Sequence, residues 1–277
     1  EHFKLKNFYV FDKTEPNPSS ETIDKIISDF SNSNFSHIIG MGGGSSLDVA
    51  KFVAFKLKKP KILIPTTFGS GSEVTRISVL KVNGKKQSFH DDMLFADVAI
   101  IDPQFLENSP ENVIKNSVAD SLAQCSEAYD SKISSSYTKF LCKKAFDVLE
   151  NGIMNKKYED LAMGSLYCGL GFGNSSTTLG HALSYVFSNE GVSHGHALAF
   201  TTTVAHKFNA SIFYERFFKI MKKLNFEKIF LKQNLGDAAE LILTDKKHLD
   251  NNPKEISKND LVFLLEKIND GAVLDKM

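Results

Sequence analysis

Tryptophan is absent from this 277-residue chain, and arginine nearly so: Arg76 and Arg216 stand alone among basic side chains that are otherwise lysine. The 33 basic residues meet 33 acidic ones and leave no net charge. A balance of that kind argues against the concentrated basic face of a nucleic-acid binder. Cysteine is scarce too, and Cys125, Cys142 and Cys168 form no spacing motif. An odd, sparse set fits a reducing compartment. No apolar run reaches the roughly 18 residues of a membrane span, and Glu1-His2-Phe3-Lys4 does not read as a signal peptide. A soluble, cytoplasmic protein is therefore expected, with neither nucleic acid nor membrane as its partner.

What is present is organised in two textures. Up to Asp102-Pro103 the pattern alternates in the α/β manner. Strands are expected over Phe8 to Phe11, Ser36 to Ile39, Lys61 to Ile64, Ile77 to Val82 and Val98 to Ile101. Helices are expected over Ser20 to Phe30 and Ser45 to Lys56, and Asn83-Gly84 is a strong turn signal. From Pro110 onward the pattern is helical, over Asn112 to Tyr129, Ser135 to Leu149, Asp160 to Phe172, Thr177 to Phe187 and His196 to Phe208. The expected division is an α/β domain over residues 1–108 and an all-helical domain over 109–277. The Lys-, Leu- and Asn-rich stretch after Ile212 reads as helical without a motif.

Two short stretches carry chemistry. In the first, a β-branched strand runs into Gly40-Met41-Gly42-Gly43-Gly44-Ser45 and then a helix. Glycines let a backbone approach a diphosphate, and the free N–H groups of the helix's first turn can donate to it. Ser45 and Asp48 are spaced as a capping pair for that helix. The strand that follows ends in Thr66-Thr67-Phe68-Gly69-Ser70-Gly71-Ser72-Glu73, a second polar, glycine-rich loop. Ligands of open α/β sheets sit outside the carboxyl ends of strands, so both loops point to one cofactor crevice.

The second stretch is Gly180-His181-Ala182-Leu183-Ser184-Tyr185 followed by Ser193-His194-Gly195-His196. Asp120 and Gln124 lie one helical turn apart, as do His181 and Tyr185, so each pair shares a face. Carboxylate and imidazole together suit Zn²⁺ or Fe²⁺.

Taken together, these residues resemble the iron-containing (group III) alcohol dehydrogenase family, over roughly residues 16–210. The resemblance rests on Asn17-Pro18, Gly42-Gly43-Gly44-Ser45 with Asp48 and Lys51, Pro65-Thr66-Thr67 with the loop to Thr75, Ile101-Asp102-Pro103, Asp120 and the histidine block. It implies the dehydroquinate-synthase-like fold: a nucleotide-binding α/β domain, a helical domain, and a catalytic divalent metal between them. It assigns Gly42, Gly43, Gly44, Ser45 and Asp48 to the cofactor diphosphate. Thr66, Thr67, Ser70 and Lys86 then line the rest of an NAD or NADP site. Asp120, His181 and His194 match metal ligands, with Gln124 at a position where the family usually has histidine. Tyr185 stands where the family has a further histidine credited with proton relay. The family also begins with a strand and loop before the region matching residue 1, so the N-terminal part of the α/β domain is expected to be missing.

The Gln124 variation, with His-Ala-Leu-Ser-Tyr and His-Gly-His, resembles the phosphonoacetaldehyde reductase branch. The implied reaction is reversible hydride transfer between a nicotinamide and a small aldehyde, with Tyr185 passing the proton. A homodimer is expected. Arg76 and His196 are the candidates for holding a phosphonate. Two alternatives stay open: another dehydrogenase of this fold acting on a polyol phosphate or sugar acid, and a catalytically degenerate binding protein.

Overall fold

In the computed structural model, which describes residues 8–275, Ser19 opens the first helix, α1 (Ser20–Asp29). Its hydroxyl accepts from the Thr22 N–H and so satisfies one orphan donor of the first turn. Strand β1 (Ile38–Gly42) is followed by α2 (Gly44–Leu57) and β2 (Lys61–Pro65). A hairpin of β3 (Ile77–Val82) and β4 (Lys85–His90) comes next, then the short β5 (Val98–Ala99). β1 and β2 run parallel with Gly42 opposite Pro65, and β5 adds in parallel on the other side of β2. The hairpin turns at Asn83-Gly84, with φ of 52° and 76°. Left-handed backbone at both positions is what a two-residue primed turn requires.

Two apolar clusters hold this unit, and α2 contributes to both. Val49, Phe52 and Val53 pack with Ile23, Ile26, Leu80 and Leu94, while Leu47 and Ala50 pack with Leu63. A helix covered on two faces carries apolar residues around much of its circumference rather than in one stripe. Gly40 lets β1 approach α2, since a Cβ there would lie 2.5 Å from the Ala50 Cβ.

Three expectations change here. Phe8 to Phe11 forms no strand; Phe11 packs on the first apolar cluster instead, and the segment has no ladder partner among the described residues. The Ser45–Asp48 capping pair does not form, because the helix starts at Gly44 with Gly43 as its cap. Asp48 turns instead to the Ser72 hydroxyl (2.6 Å) and the Val79 N–H (3.0 Å), tying α2 to β3. The compact units also divide elsewhere than at residue 108. The first takes the chain up to Thr66 and Ser72–Asp102, the second Thr67–Gly71 and everything from Pro103.

The second unit is helical among its described residues. Its elements are α3 (Gln104–Glu107), α4 (Glu111–Asp130), α5 (Ser136–Asn155), α6 (Tyr158–Phe172), α7 (Leu179–Asn189) and α8 (His194–Asn209). After them come α9 (Tyr214–Leu224), α10 (Leu235–Leu243), α11 (Lys246–Leu249) and α12 (Lys258–Asn269). Helix α4 is the hub, packing on α5, α6, α7, α8 and α9. Along its buried side Ala119, Leu122, Ala123 and Ala128 are fully covered. Small residues bring the helices close: a Cβ at Gly164 would lie 2.6 Å from the Leu149 Cγ, and one at Gly171 2.7 Å from the Cys142 Sγ. The 67–71 loop belongs here because Ser121 of α4 donates to the Gly69 carbonyl (3.2 Å) and Gly69 lies flush on Ser117. No helix among the described residues is long and apolar enough to cross a membrane.

Candidate functional site

The side-chain site is assembled from α4, α7 and α8, and two glycines decide its geometry. At the start of α8, Gly195 lies on the Asn116 carbonyl of α4, where a Cβ would come within 2.0 Å of the oxygen. Ser193 beside it donates to Asn116 Oδ1 (2.7 Å). His194 is thereby seated one turn along α4 from Asn116, beside Asp120. At the start of α7, Gly180 lies on Glu127 and Thr202, with room for neither a methyl nor anything larger.

Glu127 was not singled out from the sequence, yet it organises the centre. Its carboxylate accepts from the backbone N–H groups of Thr178 (3.2 Å), Gly180 and His181 (3.3 Å), and from the Thr178 hydroxyl (3.1 Å). A carboxylate at a helix N-terminus meets unsatisfied donors and the positive end of the dipole. Burial pushes its carboxyl up, but the His181 imidazole and the Thr178 N–H outweigh burial and bring it down to about 2. The ionised Glu127 accepts from His181 Nδ1 at 2.5 Å. In the neutral imidazole that bond places the proton on Nδ1 and leaves Nε2, on the Asp120 side, as the acceptor atom.

Asp120, His181 and His194 each offer one ligand atom, all within 4.8 Å of one another. His181 Nε2 lies 3.9 Å and His194 Nε2 3.8 Å from Asp120 Oδ1. An ion bound at about 2.0–2.2 Å spaces its ligands roughly 3.3–3.6 Å apart, and both imidazole nitrogens lie within a few tenths of an ångström of that spacing from Asp120 Oδ1. A carboxylate behind a ligating imidazole is the usual outer support of such a site. The donor set therefore fits a divalent transition metal. Gln124 is also present, but its Nε2 rather than its oxygen faces Asp120, donating to Oδ1 at 2.9 Å.

Tyr185 stacks on His194, with ring centroids 6.3 Å apart and planes 11° from parallel. Burial pushes its phenol well above the ordinary range. His248 of α11, which no sequence motif marks, completes the group. It lies parallel to His181 (6.2 Å, 13°) and edge-on to Tyr185 (5.7 Å), and its Nδ1 is held by Asp245 at 2.6 Å. The two residues considered for a phosphonate are engaged elsewhere. Arg76 pairs with Asp92 at the surface (3.0 Å), and His196 Nε2 bonds the Glu227 carbonyl (2.6 Å).

The backbone site lies in the first unit. Gly42 ends β1 at φ 146°, a conformation that favours glycine, and its carbonyl accepts from the Thr66 N–H (2.9 Å) at the adjacent strand end. Ser45, Asp48 and Lys86 line one small pocket with Asn17, Pro18 and Lys81, about 70 Å³ in volume. Thr67 and Ser70 lie in the loop that belongs to the second unit.

Comparison with known proteins places the chain in a family. The iron-containing alcohol dehydrogenase model matches residues 3–103, and the family's C-terminal model matches residues 114–247. This chain belongs to the iron-containing alcohol dehydrogenase family. It is 35% identical to 4-hydroxybutyrate dehydrogenase of Clostridium kluyveri, over 65% of this chain and 56% of that protein. It is 34% identical to long-chain-alcohol dehydrogenase 1 of Geobacillus thermodenitrificans, over 69% of this chain and 56% of that protein. The chain thus spans little more than half the length of these relatives. Among solved structures, the iron-containing alcohol dehydrogenase of Thermotoga maritima superposes with a TM-score of 0.84 at 25% identity, covering 95% of this chain and 83% of that one. The fold is shared as well with sulfoacetaldehyde reductase of Bifidobacterium kashiwanohense in complex with NAD⁺, at a TM-score of 0.85 and 23% identity over 93% and 82% of the two chains.

Proposed function

We propose that this family member is a metal-dependent, NAD(P)-linked alcohol dehydrogenase or aldehyde reductase. The observation that carries the reading is the convergence of Asp120, His181 and His194, with Glu127 holding His181 from behind. A divalent ion held there, Fe²⁺ or Zn²⁺, would supply Lewis-acid polarisation of a carbonyl oxygen. The protein's own residues do the rest. Glu127 keeps the His181 lone pair aimed at the cluster. The N–H groups at the start of α2, with Ser45 and Lys86, receive the cofactor diphosphate. Tyr185, its phenol held protonated through neutral pH by burial, serves as proton donor to the substrate oxygen rather than as a base.

By their names, one relative acts on long-chain alcohols, while two proteins, acting on 4-hydroxybutyrate and sulfoacetaldehyde, take substrates that pair an alcohol or aldehyde with an acid group. A small aldehyde carrying an anionic group is accordingly the substrate class, with phosphonoacetaldehyde, reduced to 2-hydroxyethylphosphonate, as candidate. The test is a panel of aldehydes followed by nicotinamide absorbance, beside metal analysis of the purified protein. Phosphonoacetaldehyde should be reduced far better than propanal, and equal kcat/KM for the two removes the phosphonate reading and leaves a general alcohol dehydrogenase. His181→Ala should abolish turnover while the unfolding midpoint stays within a few degrees of wild type.

A further inference from the structure

We infer that Gln124 does not ligate the metal but holds Asp120 in place, leaving a centre of two histidines and one carboxylate. The inference rests on the metal reading proposed above. Gln124 is buried, 6% exposed, and the partners of both ends of its amide are set. Nε2 donates to Asp120 Oδ1 at 2.9 Å, the same oxygen that faces both imidazoles. An amide nitrogen has its lone pair delocalised into the carbonyl and has none to give a cation.

The only atom of Gln124 able to ligate is Oε1, and it faces Cys168 Sγ at 3.5 Å. The Cys168 sulfur lies between two acceptors, the Ser121 carbonyl (3.2 Å) and Gln124 Oε1, so its proton is the group they share. Turning the amide over would remove the hydrogen bond that Nε2 gives to Asp120 Oδ1. It would also take an acceptor away from the thiol. Gln124 therefore acts as a positioning residue. Its hydrogen bond to an ionised carboxylate is of the stronger, charge-assisted kind and fixes the direction in which Asp120 presents its oxygen. The consequence for the centre is one protein ligand fewer than an Asp-His-His-His set and one more position open to water or a substrate oxygen.

Cobalt titration decides this, because the visible bands of Co²⁺ report the number and kind of its ligands. Wild-type protein, Gln124→Leu and His181→Ala are each titrated with Co²⁺. Leucine is close to glutamine in volume and has no donor atom. The expected result is one Co²⁺ in Gln124→Leu with the band positions and intensities of wild type, its Kd raised by no more than about 100-fold. Altered bands in that variant overturn the inference. His181→Ala should lose the wild-type bands; if it binds Co²⁺ as wild type does, the metal reading itself fails, whatever Gln124 shows. Should Gln124→Leu not fold, the Zn²⁺-loaded crystal structure of the wild-type protein decides. A Gln124 side-chain atom within about 2.5 Å of the ion overturns the inference, and one beyond hydrogen-bonding contact with the ion supports it.

Discussion

Each unit carries a largely covered carboxylate inside a helix, and the pKa values of the two move in opposite directions. Asp48 of α2 accepts one backbone N–H, one hydroxyl and the Lys51 ammonium at 3.6 Å. Burial wins there and raises its carboxyl, against the pull of Lys51, Ser72 and Val79. Glu127 of α4 is the more deeply buried, its side chain 1% exposed against 13% for Asp48, yet it accepts three backbone N–H groups at the start of α7 and the His181 imidazole, and falls to about 2. A set of converging donors, not depth, decides which way the pKa of a buried acid moves. Asp48 is thus a structural tie between α2 and β3, whereas Glu127 holds the His181 imidazole in place.

The sharpest way to break this contrast is at the glycine that seats the second site. In Gly195→Ala the new Cβ meets the Asn116 carbonyl at 2.0 Å, and backbone cannot yield as a side chain can. Displacement of the first turn of α8 should cost about 3 kcal/mol in denaturant unfolding and abolish metal binding measured by titration. Next comes the pair Glu127→Gln and Asp48→Asn. The first sets an amide NH₂ against N–H donors and should cost about 2–3 kcal/mol, with metal affinity lowered by roughly 10–100-fold. The second should cost stability alone, about 1–2 kcal/mol, and leave metal affinity at its wild-type value. Equal loss of metal in both would erase the distinction between tie and aim.

Glu73 gives the most easily tuned effect, because pH alone moves it. It is 1% exposed, and burial raises its carboxyl from 4.5 to about 7 against the pull of its own backbone N–H and of Lys51. Between pH 4.5 and 7 the folded state keeps a proton that the unfolded state has released, so stability is full below 4.5 and falls as pH rises toward 7. Glu73→Gln should flatten that slope, changing its stability relative to wild type by on the order of 2 kcal/mol between pH 4.5 and 7.5. Parallel pH profiles for the two proteins would show that Glu73 stays ionised in the folded state.

Much of this was legible in the residues themselves. Asn83-Gly84 announced the hairpin, the Gly42–Gly44 run announced a strand passing into a helix, and Asp120, His181 and His194 stood out through helical spacing and the family resemblance. The cluster of Asp120, His181 and His194 could be named from sequence because side chains able to hold a metal are few in kind and match the family's pattern. Glu127 could have been found as well, seven residues and two turns beyond Asp120 on one helix, although nothing in its own neighbourhood marks it as different from a surface glutamate. His248 could not, since it reaches His181 only through the packing of α11 on α7.

The amino-acid sequence determined which chemistry is available and which segments are helix or strand, because periodicity, glycine and capping act within a few residues. Tertiary structure decided the charge of each buried acid, the direction of the Gln124 amide and the unit to which the 67–71 loop belongs. Those depend on donors and close contacts brought from remote parts of the chain, and an ionisation state or an amide orientation is set by what surrounds a side chain rather than by what precedes it.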